Sequence, residues 1–270
     1  MGNYSELVDF FRDSTGVRII IPDNNNIQFC NQNDKYFTGQ YFCADYDLVL
    51  VPGWVHAEVS HSEKRLGYLS AIPKTVLYMI EEDDYLPLIG YHDERMIRLF
   101  KLASSPHQSC QRVLNGFLNK TVDIPDDWIV DFYERGFNDK KKNAGEVSIL
   151  TLCFLVLSHF PGKISSITVS TSDKGCFDIK HKILEHLNRY GLLPVPRVPV
   201  SFMSTDVLLV NAFKKGLIGV AQIPEMRPNP RTCVFIEHLA DGTSVQYEHL
   251  LSTEDFIDIL SDIDSYAFLF

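Results

Sequence analysis

The chain has 270 residues, 45% of them hydrophobic, with 25 Lys and Arg against 35 Asp and Glu for a formal net charge of −10. That apolar fraction suits one large globular domain, or a domain with an appendage, and excludes a disordered chain. The acidic balance excludes a globally basic nucleic-acid binder, yet allows an acidic site neutralised by divalent cations, with local basic patches holding an anionic substrate.

In chain order, Ser5 to Arg12 has the pattern of a short amphipathic helix. Val17 to Ile21 reads as a buried strand ending at Pro22 and an Asp-Asn-Asn-Asn turn. Leu48 to Val51 is a second strand, followed by Pro52, which suits the first turn of a helix turning Val55, Val59 and Leu66 inward and carrying Glu58. From about residue 74 to 142 the pattern is mainly helical, with segments around Asp93 to Ala103, Ser109 to Leu118 and Asp126 to Glu134. Gly145-Glu146 then opens a long apolar helix, Ile164 to Ser170 forms a β-branched strand, and Asp178 to Tyr190 forms a helix that Gly191 terminates. Pro194 to Val200 reads as an extended edge segment and Ser204 to Lys215 as a helix, closing an alternating α/β pattern. Ile223 to Pro230 is the best linker, and Thr232 to Glu237 pairs with Ser244 to Tyr247 as a hairpin before a last helix starting at Ser252-Thr-Glu-Asp255.

None of the six cysteines belongs to a CxxC pair and no secretory leader precedes them, so a reduced, cytoplasmic setting is expected. Val147 to Phe160 is shorter than the roughly 20 residues of a spanning helix, which makes it a buried core helix and removes the membrane as an expected partner. His56 and His61 point about 140° apart on a helix and cannot share a metal. No Walker loop, GxSxG elbow or GxGxxG stretch is present.

Four acids stand beside strand ends or helix starts: Asp23, Glu58, Glu146 and Asp173. Singly, each has an ordinary structural role, in an Asx turn, on a solvated face or at a helix N-terminus. In an open α/β sheet, however, such positions meet beyond the carboxyl ends of the strands. Hard carboxylate oxygens suit Mg2+ or Mn2+, and four of them could hold one or two ions.

The order of these motifs resembles the PIN-domain family of metal-dependent ribonucleases. Arg18-Ile-Ile-Ile-Pro-Asp-Asn-Asn25 resembles its opening strand ending in Asp-x-Asn, and Val49-Leu-Val-Pro-Gly-Trp-Val-His-Ala-Glu58 its second strand leading into a helix with Glu. Gly145-Glu146 is similar to the helix start carrying the third acid, and Val169-Ser-Thr-Ser-Asp173 to the strand ending in Thr-x-Asp. The resemblance spans Val17 to about Ile218. It implies a three-layer α/β/α fold with a central, mostly parallel sheet across residues 1–222, an enlarged helical insert at about 74–142, and a C-terminal hairpin and helix after a linker, at 223–270. It further implies a divalent-metal-dependent endoribonuclease whose catalytic metal ligands are Asp23, Glu58, Glu146 and Asp173. Asn25, Thr171 and Ser172 would be polar supports that orient the carboxylates. Lysines near these motifs, Lys140, Lys141 and Lys142 before Glu146 and Lys174, Lys180 and Lys182 after Asp173, are the candidates to meet an RNA backbone, with Lys142 and Lys174 nearest the acids. The aromatics Tyr36, Phe37, Tyr41 and Phe42 fit a core better than a base-stacking platform.

Two other readings stand beside this one. A non-catalytic subunit could keep the fold and bind a protein partner, an inhibitor or a second copy through the C-terminal extension. A phosphohydrolase of the haloacid-dehalogenase class also places Asp after its first strand, but needs Asp-x-Asp, and Asn25 cannot serve as the general acid.

Overall fold

A computed structural model describes residues 1–88, 93–105, 107–136, 144–179 and 199–270. Helix α1 (Tyr4–Asp13) is closed by a capping box between Asn3 and Glu6, and Gly16 at φ +70° turns the chain into β1 (Val17–Pro22). The Asn run read as a turn is instead the first turn of helix α2 (Asn24–Gln32), with Asp23 at its N-cap position, where short polar residues favour helix initiation. A short helix α3 (Gly39–Cys43) precedes β2 (Leu48–Pro52), α4 (Gly53–Ser60), α5 (Glu63–Ser70) and β3 (Leu77–Ile80). Strand β3 lies in the segment read as helical; four residues are too few to display a periodicity of their own.

Strands β1 to β3 join β4 (Ile164–Ser170) and β5 (Val200–Phe202) in a five-stranded, all-parallel sheet of order β3-β2-β1-β4-β5. Ile19, Ile20 and Ile21 of β1 and Leu48 to Val51 of β2 are wholly inaccessible, so neighbouring residues pointing to opposite faces are all buried and both faces are covered. Truncating one of these, such as Ile20→Ala, belongs to the class of core losses that cost about 2–5 kcal/mol.

The insert comprises α6 (Tyr85–Leu88), α7 (Asp93–Ala103), α8 (Gln108–Leu118) and α9 (Trp128–Gly136). It has its own aromatic centre, Phe100, ringed by Tyr85, Trp128, Phe132 and Tyr133 at centroid separations of 5.1 to 6.2 Å. The apolar helix α10 (Ala144–His159) then crosses β1, β2 and β4 and packs on α4, α6 and α7, fastening the insert to the sheet. Residues 174–179 begin helix α11. The rest of the segment read as a helix to Tyr190, and Pro194 to residue 198 of the edge segment, lie outside the described residues.

Helix α12 (Thr205–Lys214) follows β5. The stretch read as a linker starts with helix α13 (Ile223–Met226) and contains Arg227, which is fully buried. Beyond it, β6 (Arg231–His238) pairs antiparallel with β7 (Ser244–Leu251) around Gly242 at φ +83°. Helix α14 (Thr253–Ser261) begins at the expected Ser252–Asp255 capping box. A third strand, β8 (Tyr266–Phe268), joins β6 and was not anticipated from its three residues. Among the described residues no helix is long and apolar enough to cross a membrane, and all six cysteines are buried free thiols.

Candidate functional site

The chain runs outward from β1 through β2 to β3, then returns to the other flank of β1 with β4 and β5. Connections therefore diverge between β1 and β4, the point at which open α/β sheets place their ligand crevices, at the carboxyl ends of the strands. Asp23 directly follows β1, and its N–H donates to Ser170 O at the end of β4 at 2.7 Å. The Thr171 hydroxyl donates to Asp23 Oδ2 at 3.1 Å and accepts the Asp173 N–H at 3.0 Å, so one side chain positions both acids. Asp173 Oδ1 also accepts the N–H of Gly175 at 2.6 Å, as a residue opening a helix does.

Glu58 lies on α4 and Glu146 in the first turn of α10, and both feel the Asp23 charge. A side chain at Gly145 would put its Cβ 3.2 Å from Glu58 Oε1, so the start of α10 lies close to the Glu58 carboxylate.

The electrostatics record this crowding. Burial raises Asp23 to about 6, with Asp173 adding to the rise while the Thr171 hydroxyl and the N–H groups of Asn24 and Asn25 oppose it. Those two N–H groups face the carboxylate without a regular helix-cap hydrogen bond. Burial followed by the Asp23 charge raises Glu58 to about 7, with Arg65 opposing. Burial, then Asp23, then Asp173 and Glu58 raise Glu146 to about 8. Among the described residues no ion pair involves any of the four.

Among the described residues no three His, Cys, Asp or Glu side chains are drawn around one point as a finished cation site. The four acids are electrostatic neighbours rather than a closed cage. Their chemistry nonetheless fits Mg2+ or Mn2+: all donors are hard oxygens, and these ions keep several waters and need only one or two carboxylates each.

Of the expected supports, Thr171 touches both Asp23 and Asp173. Asn25 has an exposed side chain and contributes its backbone N–H. Ser172 donates to Asn26 Oδ1 at 2.7 Å and accepts the Thr205 N–H at 3.2 Å, tying the loop to α12 rather than touching an acid. Lys174 is engaged by Asp178 at 2.9 Å and by Glu248 of β7 at 3.1 Å, which draws its ammonium toward the C-terminal sheet. Lys140, Lys141, Lys142, Lys180 and Lys182 lie outside the described residues. Phe37 and Phe42 are core residues, with Tyr36 and Tyr41 packed against it.

Four further residues belong to the site. Asn26 is fully buried and its amide donates to Ser170 Oγ at 2.9 Å and Met203 O at 2.7 Å, joining the ends of β4 and β5. Arg65 donates to Asn24 Oδ1 at 2.5 Å, beside Asp23. The Cys176 thiol lies beneath the acids, its pKa pushed well up by burial and then by Glu146, Asp23 and Asp173. His107, before α8, has its pKa lowered by burial, with the Asp173 charge opposing that shift. The one sequence cue to any of these was the Asn run, which did not tell which of its members turns inward. Compared with protein-family models, with curated proteins and with solved structures, the chain matches none.

Proposed function

We propose that this protein is a PIN-like endoribonuclease that hydrolyses RNA phosphodiester bonds with Mg2+ or Mn2+ held by Asp23, Glu58, Glu146 and Asp173. One observation supports the reading: acids from four separated elements are electrostatic neighbours near the point where the sheet connections diverge, and among the described residues none of them is neutralised by an ion pair. Carboxylates serving only stability are ordinarily paired or solvated.

When bound there, such an ion activates a water and offsets charge on the phosphate. The chain's own residues do the rest. Thr171 holds Asp23 and the Asp173 backbone in a fixed relation. Arg65 keeps guanidinium N–H donors available for a phosphate oxygen after its bond to Asn24. No side-chain nucleophile is required, and the Cys176 thiol, its pKa far above neutrality, is unsuited to be one.

The test is cleavage of a fluorescent single-stranded RNA with Mn2+ by the parent, Asp23→Asn and Asp173→Asn, prepared identically. Equal rates in all three would refute the assignment. Titration calorimetry separates the interaction-subunit reading: no heat with Mn2+, together with capture of a stable protein complex, would favour that alternative.

A further inference from the structure

A cleft separate from the four acids adjoins them. It measures about 950 Å³ and lies between α2 and α5, lined by Gln28, Asn31 and Gln32 of α2 and Lys64, Arg65 and Gly67 of α5, with the carboxylate of Asp34 also on its lining. The Tyr68 hydroxyl donates to Phe37 O at 2.8 Å, turning the ring into the fixed interior boundary of the cleft.

Its chemistry is informative. A site for a compact small molecule is predominantly apolar. This one offers three amide side chains, each with two donors and an acceptor, which match the hydrogen-bonding edges of unpaired bases. Among the described residues neither Lys64 nor Arg65 is bound to a carboxylate, in contrast to Lys174, Lys215 and Arg227. Arg65 is also the link to the acids: it lines the cleft and its guanidinium reaches Asn24, the residue after Asp23.

We infer that the α2–α5 cleft seats the single-stranded RNA segment flanking the scissile phosphodiester, with the amides of α2 against bases and Arg65 on the phosphate nearest the acids. This rests on the phosphodiesterase reading above and deepens it by naming where the substrate strand lies.

Gly67 provides a test that spares the fold. It is exposed on α5 and lines the cleft, and a Cβ there would meet nothing within 4 Å, so a side chain can be added without displacing a neighbour at its root. Gly67→Glu places a negative charge where the inference puts a phosphate chain, and Gly67→Ala is the control. Fluorescence anisotropy with a labelled single-stranded RNA, at low salt and in EDTA so that no strand is cut, reads binding alone. Gly67→Glu should weaken binding at least about tenfold while Gly67→Ala binds like the parent, both melting no lower than the parent. Equal binding by Gly67→Glu and the parent, or no binding by the parent, overturns the inference. Hydrolysis of bis(p-nitrophenyl) phosphate with Mn2+ is measured alongside, because this small diester needs the acids and not the cleft. RNA binding lost in Gly67→Glu without diester hydrolysis by the parent would leave the cleft standing and remove the catalytic reading.

Discussion

Asp23 and Asp206 are equally buried, each 3% exposed, and their surroundings are opposite. Asp206 accepts from Arg227 Nε at 3.0 Å, Arg231 Nη1 at 3.1 Å and the Cys233 thiol at 3.1 Å. Arg227 is itself fully buried, donates to the carbonyls of Ser252 and Leu251 at 2.9 and 3.1 Å, and lies 4.6 Å from the centroid of the Phe256 ring. Asp23 has one hydroxyl, the N–H groups of Asn24 and Asn25, and a set of other carboxylates, with no guanidinium or ammonium bound to it among the described residues. The first carboxylate is a completed internal bond between α12 and the C-terminal extension. The second has a demand for positive charge that no described side chain meets, and the proposed function rests on that contrast.

The contrast is most severely tested at Arg227. Arg227→Ala leaves Asp206 buried with only the more exposed Arg231, and should cost about 3–5 kcal/mol in urea unfolding. A loss under about 1 kcal/mol would mean that Asp206 is not held as described. At the other acid the expected outcome is reversed: Asp23→Asn should leave urea stability unchanged or raised, because the amide carries no charge to desolvate. RNA cleavage should meanwhile fall at least about 100-fold, the scale set by several kcal/mol of charge stabilisation. Mn2+ should raise the stability of the parent by about 2.7 kcal/mol at 100-fold excess over its dissociation constant, and much less in Asp23→Asn, as followed by thermal unfolding. No metal-linked shift in the parent would place Asp23 on the structural side of the comparison.

A third buried acid sharpens the distinction. Glu82 accepts from Ser148 Oγ at 2.6 Å and from the Trp54 N–H at 3.2 Å, and burial still raises it to about 7 from an ordinary 4.5. A raised folded pKa favours the protonated form, so its contribution is full below about 4.5 and is lost as pH rises through about 7. Glu82→Gln should flatten that decline by on the order of 1–3 kcal/mol, read from urea midpoints across the range. Unlike Asp23→Asn, it should leave Mn2+ stabilisation intact.

The parts of this arrangement that were legible in the chain share a cause. β1, β2 and β4 are near-continuous β-branched or Leu runs because both sheet faces are covered, and an acid just beyond such a run stands out; Asp23 and Asp173 were visible for that reason. Glu58 was visible because it lies on the helix that directly follows a strand, and Glu146 because it sits in the first turn of a helix, just after a glycine. Asn26 was not, since only packing against Ser170 and Met203 distinguishes it from its two Asn neighbours. Arg65 carries no local signal, and its role comes from α5 folding back onto α2. Lys174 was expected to face substrate, but β7 returns from far along the chain to place Glu248 against it, a contact no local pattern encodes. Arg227 sat in a Pro-rich stretch with the look of a tether, and its burial depends on strands that come after it.

That burial bears on how the molecule can be divided. A fragment cut ahead of Ile223 would look tidy on paper, yet it would strip both guanidiniums from Asp206 and expose the underside of α12. Trimming the tail would therefore amount to opening the interior, and shortened versions meant for crystallisation should keep everything through Phe270.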